Sequence, residues 1–340
     1  MARTMRAAEI TKPGTPFKLV ERPIPDPGRA QVRIAVEACG VCHSDSYVQG
    51  GHFPGVVYPR VPGHEVVGRL DAIGDGVTTW KPGQRVGVGW HGGHCGVCEA
   101  CRSGDFVICQ NQLICGFSYD GGYAEYMVVP QEALAAVPDS LDSAAAAPLL
   151  CAGVTTFNSL RNSGARAGDL VAVQAIGGLG HLGIQYARKL GFRTVALSRG
   201  GDKRALALEL GAHEYIDTDK GDPAAALRKL GGAKVILATA PSAQLTGKLV
   251  DGLARNGTLV VLGATPEPIQ VSPFQLIGAR RRIQGWPSGT AKDSEETLAF
   301  SALFGVASRS EVFPLDKAQD AYERMLSNKA RFRVVIRVRT

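Results

Sequence analysis

Long apolar runs are missing from this chain of 340 residues. No stretch of ~18 apolar residues occurs, so no membrane-spanning helix and no membrane partner are expected. The N-terminal charges also lack an apolar segment behind them: Arg3 and Arg6 are followed by Glu9, Lys12 and Pro13. That pattern argues against a secretory leader and makes a cytoplasmic location the expectation. A basic stripe interleaved with aromatics is absent too. The 38 basic and 31 acidic residues leave a net charge of +7, but the basic ones are scattered, apart from Arg280 to Arg282 and the stretch from Arg331 to Arg339. Nucleic acid is therefore not an expected partner, and an anionic cofactor would use a few of these charges equally well. Internal repeats and low-complexity tracts are lacking. Glycine is abundant, at 42 residues, but shows no period of three. Collagen is thereby excluded, and many turns and close backbone approaches are implied.

Cysteine is what the chain does have, eight of them, at 39, 42, 95, 98, 101, 109, 115 and 151. Their close spacing reads as metal ligands rather than a disulfide framework, and in a reducing compartment thiols stay free for metals. At ~150 residues per domain, the length suggests about two domains.

The two parts differ in character. Up to about residue 150 the chain is β-rich, with polar–apolar alternation in Gln31 to Val36 and further strands at Val66 to Ile73 and Arg85 to Val88. Pro and Gly interrupt it often, as in Pro27-Gly28, Pro54-Gly55 and Pro62-Gly63. Ser143 to Leu150 reads as an Ala-rich helix capped by Asp139 or Ser140. Strands and helices then alternate. Strands are expected at Leu170 to Ile176, Thr194 to Leu197, Glu214 to Ile216, Val235 to Ala238, Thr258 to Leu262 and Arg282 to Gly285. Helices are expected at Leu179 to Leu190, Lys203 to Leu210, Ala224 to Leu230 and Ser242 to Leu253. Such alternation predicts an α/β architecture with a doubly wound parallel sheet. The last ~50 residues should hold a helix, Leu315 to Leu326, and a strand, Phe332 to Val338.

The first of these strands runs into Gly177-Gly178-Leu179-Gly180-His181-Leu182-Gly183. Gly178, Gly180 and Gly183 fit G-x-G-x-x-G between a strand and a helix, the context a dinucleotide site needs. Glycines let backbone amides approach a pyrophosphate, and the helix N-terminus favours its charge. An acidic residue ~20 positions on would bind the ribose hydroxyl of NAD. Ser198 and Arg199 stand there instead. Neither repels a 2′-phosphate, Arg199 could pair with one, and Lys203 lies one turn further. NADP is the expected cofactor, with NAD the alternative.

Cys95, Cys98, Cys101 and Cys109 form C-x-x-C-x-x-C-x7-C. Four thiolates this close can wrap one tetrahedral zinc, and no coordination position stays open, which marks a structural site. An Fe–S cluster is the lesser alternative. Cys42, His64 and Cys151 are more dispersed. A Cys, His, Cys set with an open fourth position suits a catalytic zinc, but spacing alone does not group them.

Together these motifs resemble the zinc-dependent medium-chain alcohol dehydrogenases, in particular the NADP-linked branch similar to cinnamyl alcohol dehydrogenases. The resemblance covers essentially the whole chain. Its most specific part is Gly63-His64-Glu65-x-x-Gly68-x5-Gly74-x-x-Val77, with Cys42-His43-Ser44-Asp45, the four-cysteine segment and Cys151-Ala152-Gly153-Val154-Thr155 in the family's order. The resemblance implies a GroES-like β catalytic domain, residues 1–152 and 288–340, carrying both zinc sites, and a Rossmann cofactor-binding domain, residues 153–287. It implies two zinc ions per subunit, the catalytic one on Cys42, His64 and Cys151, with Cys39 a structural thiol. Glu65 would approach that metal and Asp45 would orient His64. Ser44 would take the substrate proton. His43 and Arg333 would meet the cofactor pyrophosphate, and Thr155 would line the nicotinamide pocket. Phe53, Trp90 and Phe117 would wall a pocket for a primary alcohol or aldehyde, aliphatic or aromatic, though plain loop core would also explain them. Where many relatives place a relay histidine, this chain has Tyr47, so the proton path beyond Ser44 stays open. The resemblance also implies a homodimer or homotetramer. A zinc-free quinone reductase of the same superfamily would lack the cysteine segment and the His-Glu pair. A non-catalytic zinc- and NADP(H)-binding redox sensor is the alternative from a different class.

Overall fold

An eleven-residue strand, Gln31–Val41, organises the first part of the chain. Val32, Ile34 and Val36 alternate into the core, as expected for a half-buried strand, and burial becomes unbroken from Ala38 onward. The computed structural model describes Arg3 to Arg339. It divides the chain into two compact units, one holding residues up to Val154 and from Ser288 on, the other Thr155–Pro287.

In the first unit Gln31–Val41 pairs antiparallel with Val66–Ile73, with Tyr126–Pro130 along its first half, and with Arg333–Arg337 along its last residues. Arg85–Val88 and Leu134–Ala136 continue the sheet on one side, and Ser310–Pro314 closes the other. Val32, Ile34, Val66, Val86, Met127, Val129, Val334 and Ile336 fill its core. The C-terminal strand sets Val334 opposite Val41 and Ile336 opposite Cys39. Arg333 therefore arrives where the long strand ends and the Cys42 loop begins.

The second unit is a six-stranded parallel sheet. Its strands are Leu170–Gln174, Arg193–Ser198, Glu214–Asp217, Ala233–Ala238, Leu253–Val261 and Arg282–Gly285. In space they run third, second, first, fourth, fifth, sixth. That order reverses direction between the first and fourth strands, and ligands of open α/β sheets bind at such a switch point. Leu170–Gln174 is buried along its whole length, as a strand covered on both faces requires.

Several local expectations need correction. The Ala-rich segment is capped by Asp142, not by Asp139 or Ser140. Asp142 is extended, and its carboxylate accepts the Ala144 and Ala145 N–H groups at 2.9 and 3.2 Å. That helix tightens to 3₁₀ geometry from Ala147, next to Pro148, which has no N–H to give an α-helical bond. The strand expected to reach Ile176 stops at Gln174, because Ala175 turns to φ 68°. The helix expected to reach Leu253 ends at Leu249, and Leu253 opens the next strand. The fourteen-residue helix Ala291–Phe304, with its Thr290–Asp293 capping box, is a further element beyond those expected. No helix among the described residues is long and apolar enough to cross a membrane.

Candidate active site

The long strand leaves the sheet at Val41, and the next residues turn into the short helix Asp45–Gly50. This turn brings Cys42 and Ser44 to the edge of the core. His64 and Glu65 sit just before Val66–Ile73, the strand paired beside it. Cys151 follows the 3₁₀ turn Ala147–Leu150. One ligand atom from each of Cys42, His64, Glu65 and Cys151 lies within 4.8 Å of the others. Residues more than a hundred apart in sequence thus share one place.

The Cys42 and Cys151 sulfurs are 3.8 Å apart. A tetrahedral site with Zn–S of ~2.3 Å has thiolate edges of about 3.8 Å. The donor set therefore fits a tetrahedral ion. The Cys42 thiol is held well below its usual range, chiefly by its contact with Cys151, then, against burial, by the neighbouring His64 and Arg333 charges. The same contact and burial push the Cys151 thiol well up. Ser44 Oγ lies 3.1 Å from Cys42 Sγ and 3.4 Å from His64 Nε2, so a hydroxyl stands among the donor atoms.

A buried carboxylate holds this group from behind. Asp45 and His64 have no solvent exposure. Asp45 Oδ2 accepts the Cys42 N–H at 2.9 Å and the Tyr123 hydroxyl at 2.7 Å, while Asp45 Oδ1 faces His64 Nδ1 at 3.4 Å. This orientation turns Nε2 toward the sulfurs. Burial, then the Asp45 charge, pushes the Tyr123 phenol well up, so it remains an O–H donor.

Glu65 is fully buried as well, and burial raises its carboxyl to about 7 against the pull of Arg333. Arg333 pairs with Glu65 and also donates to the Val41 carbonyl at 3.3 Å. Arg333, expected to meet the cofactor pyrophosphate, is paired with the Glu65 carboxylate, because strand pairing with Ala38 to Val41 delivers it there. Gly40 allows this arrangement: a Cβ there would overlap the Glu65 carboxylate. Sequence reasoning missed Gly40 and Tyr123, because nothing in the string says which strand glycine faces a carboxylate.

Phe53, Trp90 and Phe117 do come together. Phe117 lies 4.9 Å from both Phe53 and Trp90 between ring centroids, and Trp90 meets the His64 ring edge-on at 5.1 Å. Phe117 is buried, whereas Phe53 and Trp90 are half-buried beside it. His43 is exposed. Tyr47 packs into the same aromatic cluster. Cys39 and Cys115 are buried thiols of the sheet core.

The second cysteine group is separate. One sulfur from each of Cys95, Cys98, Cys101 and Cys109 lies within 4.8 Å of the others. Cys98 and Cys95 lie 3.8 and 3.6 Å from Cys109, again close to tetrahedral edges. Backbone N–H groups of Val97 and Cys98, followed by the Asn111 side chain, lower the Cys95 thiol to about 6.

In the second unit the Gly-rich turn joins Leu170–Gln174 to the helix Gly180–Lys189. The His181 ring lies over the turn, its Nδ1 2.9 Å from the Gly177 carbonyl, and Lys203 Nζ donates to the Ile176 carbonyl at 3.2 Å. Lys203, expected near a 2′-phosphate, is therefore tied to the turn itself. Ser198 ends its strand buried and Arg199 follows exposed. Thr155 is buried within the helix Ala152–Arg161. Gly180 is where backbone comes closest, since a Cβ there would overlap the Ala175 carbonyl and come within 3.2 Å of Thr239 Oγ1. Gly180→Ala is expected to shift the helix start and weaken dinucleotide binding roughly five- to a hundredfold, in line with overpacking costs. Titration calorimetry checks this, and unchanged affinity would remove the turn from the cofactor site.

Known proteins carry the same parts. Residues 28–139 match the alcohol dehydrogenase GroES-like domain, and residues 178–303 match the zinc-binding dehydrogenase domain. The alcohol dehydrogenase patD of Penicillium expansum is 47% identical over 333 residues, covering 98% of this chain and 97% of that protein. An alcohol dehydrogenase of Geobacillus stearothermophilus is 38% identical, covering 98% of this chain and 100% of its own. Among solved structures, a cinnamyl alcohol dehydrogenase of Sorghum bicolor (SbCAD4) superposes with a TM-score of 0.87 at 31% identity, covering 98% of each chain. The chain belongs to the zinc-type medium-chain alcohol dehydrogenase family, built from a GroES-like domain and a Rossmann-type parallel sheet. It is a zinc-dependent alcohol dehydrogenase by that membership.

Proposed function

We propose that the chain interconverts primary alcohols and aldehydes, aliphatic or aromatic, using NADP(H), at a zinc held by Cys42, His64 and Cys151. The observation that carries this reading is the convergence of those three donors around the Ser44 hydroxyl, with the Cys42–Cys151 spacing of a tetrahedral edge. Cys95, Cys98, Cys101 and Cys109 would hold a second, structural zinc. The first unit is then the catalytic domain and the second the cofactor domain.

Bound zinc supplies Lewis acidity that makes an alcohol easier to deprotonate, and the nicotinamide supplies the hydride chemistry. The chain's own residues do the rest. Ser44 Oγ stands close enough to the donors to relay the substrate hydroxyl proton, taking it up while passing its own hydroxyl proton on to water. Asp45 fixes the His64 ring so that Nε2 faces inward. Glu65, backed by Arg333, keeps a carboxylate within reach of the metal position. Phe53, Trp90 and Phe117 present ring edges and faces beside His64, which suits an apolar or aromatic substrate body. His43 and Thr155 are assigned to the cofactor.

Support for NADP comes from Ser198 and Arg199, where no carboxylate stands to bind a ribose hydroxyl. With a panel of aliphatic and aromatic aldehydes, kcat/KM should be at least ~10-fold higher with NADPH than NADH, the scale of one charged hydrogen bond. Arg199→Asp should reverse the preference. A strong NADH preference in the unaltered protein would make this an NAD-linked enzyme. We further expect a cytoplasmic homodimer or homotetramer, which light scattering would resolve.

A further inference from the structure

We infer that Tyr123 is a positioning residue for the Cys42–His64–Cys151 metal site, acting through Asp45. The inference deepens the metal assignment proposed above and rests on it. Three observations carry it. The Tyr123 hydroxyl is 2.7 Å from Asp45 Oδ2, and Tyr123, Asp45 and His64 are all fully buried. The same oxygen accepts the Cys42 N–H at 2.9 Å, while the other carboxylate oxygen faces His64 Nδ1. One carboxylate therefore bonds the backbone of one metal donor and faces the ring of another, and Tyr123 supplies the second donor to its bonded oxygen.

The ring itself has little freedom. A Cβ on Gly63 would come within 2.6 Å of Tyr123 Cδ1, and Phe17 lies 5.8 Å away between ring centroids. The hydroxyl is thus held at a set point against Asp45. Asp45 Oδ1 lies 3.4 Å from His64 Nδ1, which leaves Asp45 without a strong hydrogen bond on that side. The carboxylate orientation then depends on the two donors at Oδ2. Removing one lets the carboxylate turn, and His64 loses its fixed direction toward the metal.

Tyr123→Phe keeps the ring and removes only the hydroxyl. In the zinc-loaded protein, release of the catalytic zinc to a chelating dye should quicken about tenfold, the size found for outer partners of metal ligands. Release from the four-cysteine site should not change. With cobalt in the catalytic site, the visible ligand-field bands should shift. In an Asp45→Asn background, Tyr123→Phe should add nothing further. A purely structural tyrosine predicts the unaltered release rate and spectrum, or additive effects, and either result would overturn the inference. Site-specific 3-fluorotyrosine, a stronger donor of nearly the same volume, should slow release, and it keeps the test open if the Phe variant does not fold. Cys42→Ala separates the two claims. If it too leaves both zinc ions bound, the metal assignment fails; if it loses one while Tyr123→Phe changes nothing, only the role of Tyr123 fails.

Discussion

Replacing Cys42 with alanine is expected to lower kcat/KM for alcohol oxidation by about a thousandfold or more, while the protein stays folded. A Lewis-acid metal contributes several kcal/mol, and each ~1.4 kcal/mol is a factor of ten in rate. Cys42 is not part of the sheet core. It lies in the turn after Val41, half-buried, and its partners are Ser44, Cys151 and the Asp45 carboxylate. Its loss therefore removes a ligand without opening a cavity in the core. Elemental analysis should find about two zinc ions in the unaltered subunit and about one in the variant, because the closed four-thiolate site is untouched. Circular dichroism would register any loss of fold. Retained activity with one zinc missing would place the chemistry elsewhere.

Arg333→Met should be the most destabilising single change at the site. Glu65 has no exposure and Arg333 is its charged partner. Removing one member of a buried pair leaves the other charge uncompensated, at a typical cost of about 3–5 kcal/mol. For a folded unit of this size each kcal/mol moves Tm by roughly 2–4 °C. Adding Glu65→Gln should recover part of the loss, since an amide tolerates burial better than a lone carboxylate. Thermal unfolding of the single and double variants checks both parts. A Tm within a degree of the unaltered protein would mean that Arg333 and Glu65 do not depend on one another.

How far the string of residues anticipates this structure depends on the range of the forces involved. The parallel strands were legible because Leu170 to Val173 and Val235 to Ala238 are continuous apolar runs separated by helical patterns. Their ends were less so. Ala175 leaves the strand by adopting a positive φ, and no propensity rule assigns that to alanine. Asp142 competes with Asp139 and Ser140 as a cap, and only the extended backbone at Asp142 decides among them. Spacing alone outlined the four-cysteine group, whose sulfurs come from fifteen consecutive residues. It did not group Cys42, His64 and Cys151, and only the likeness to a known family brought them together. The role of Arg333 was harder still. Its pairing with Glu65 follows from antiparallel register between Arg333–Arg337 and the end of Gln31–Val41, and such register is not written in either segment.

That register also sets a schedule for the making of the protein. The contact between Arg333 and Val41 spans 292 residues. At typical synthesis rates, roughly fifteen seconds to a minute separates the two ends. Throughout that time the last third of the Gln31–Val41 strand has an unfilled edge, and Glu65 waits without its cation. A message cut short just before the final strand would yield a chain with every proposed zinc ligand and the whole parallel sheet, but no guanidinium for the buried carboxylate. The pairing of the buried Glu65 carboxylate thus waits on a residue made long after its immediate neighbours.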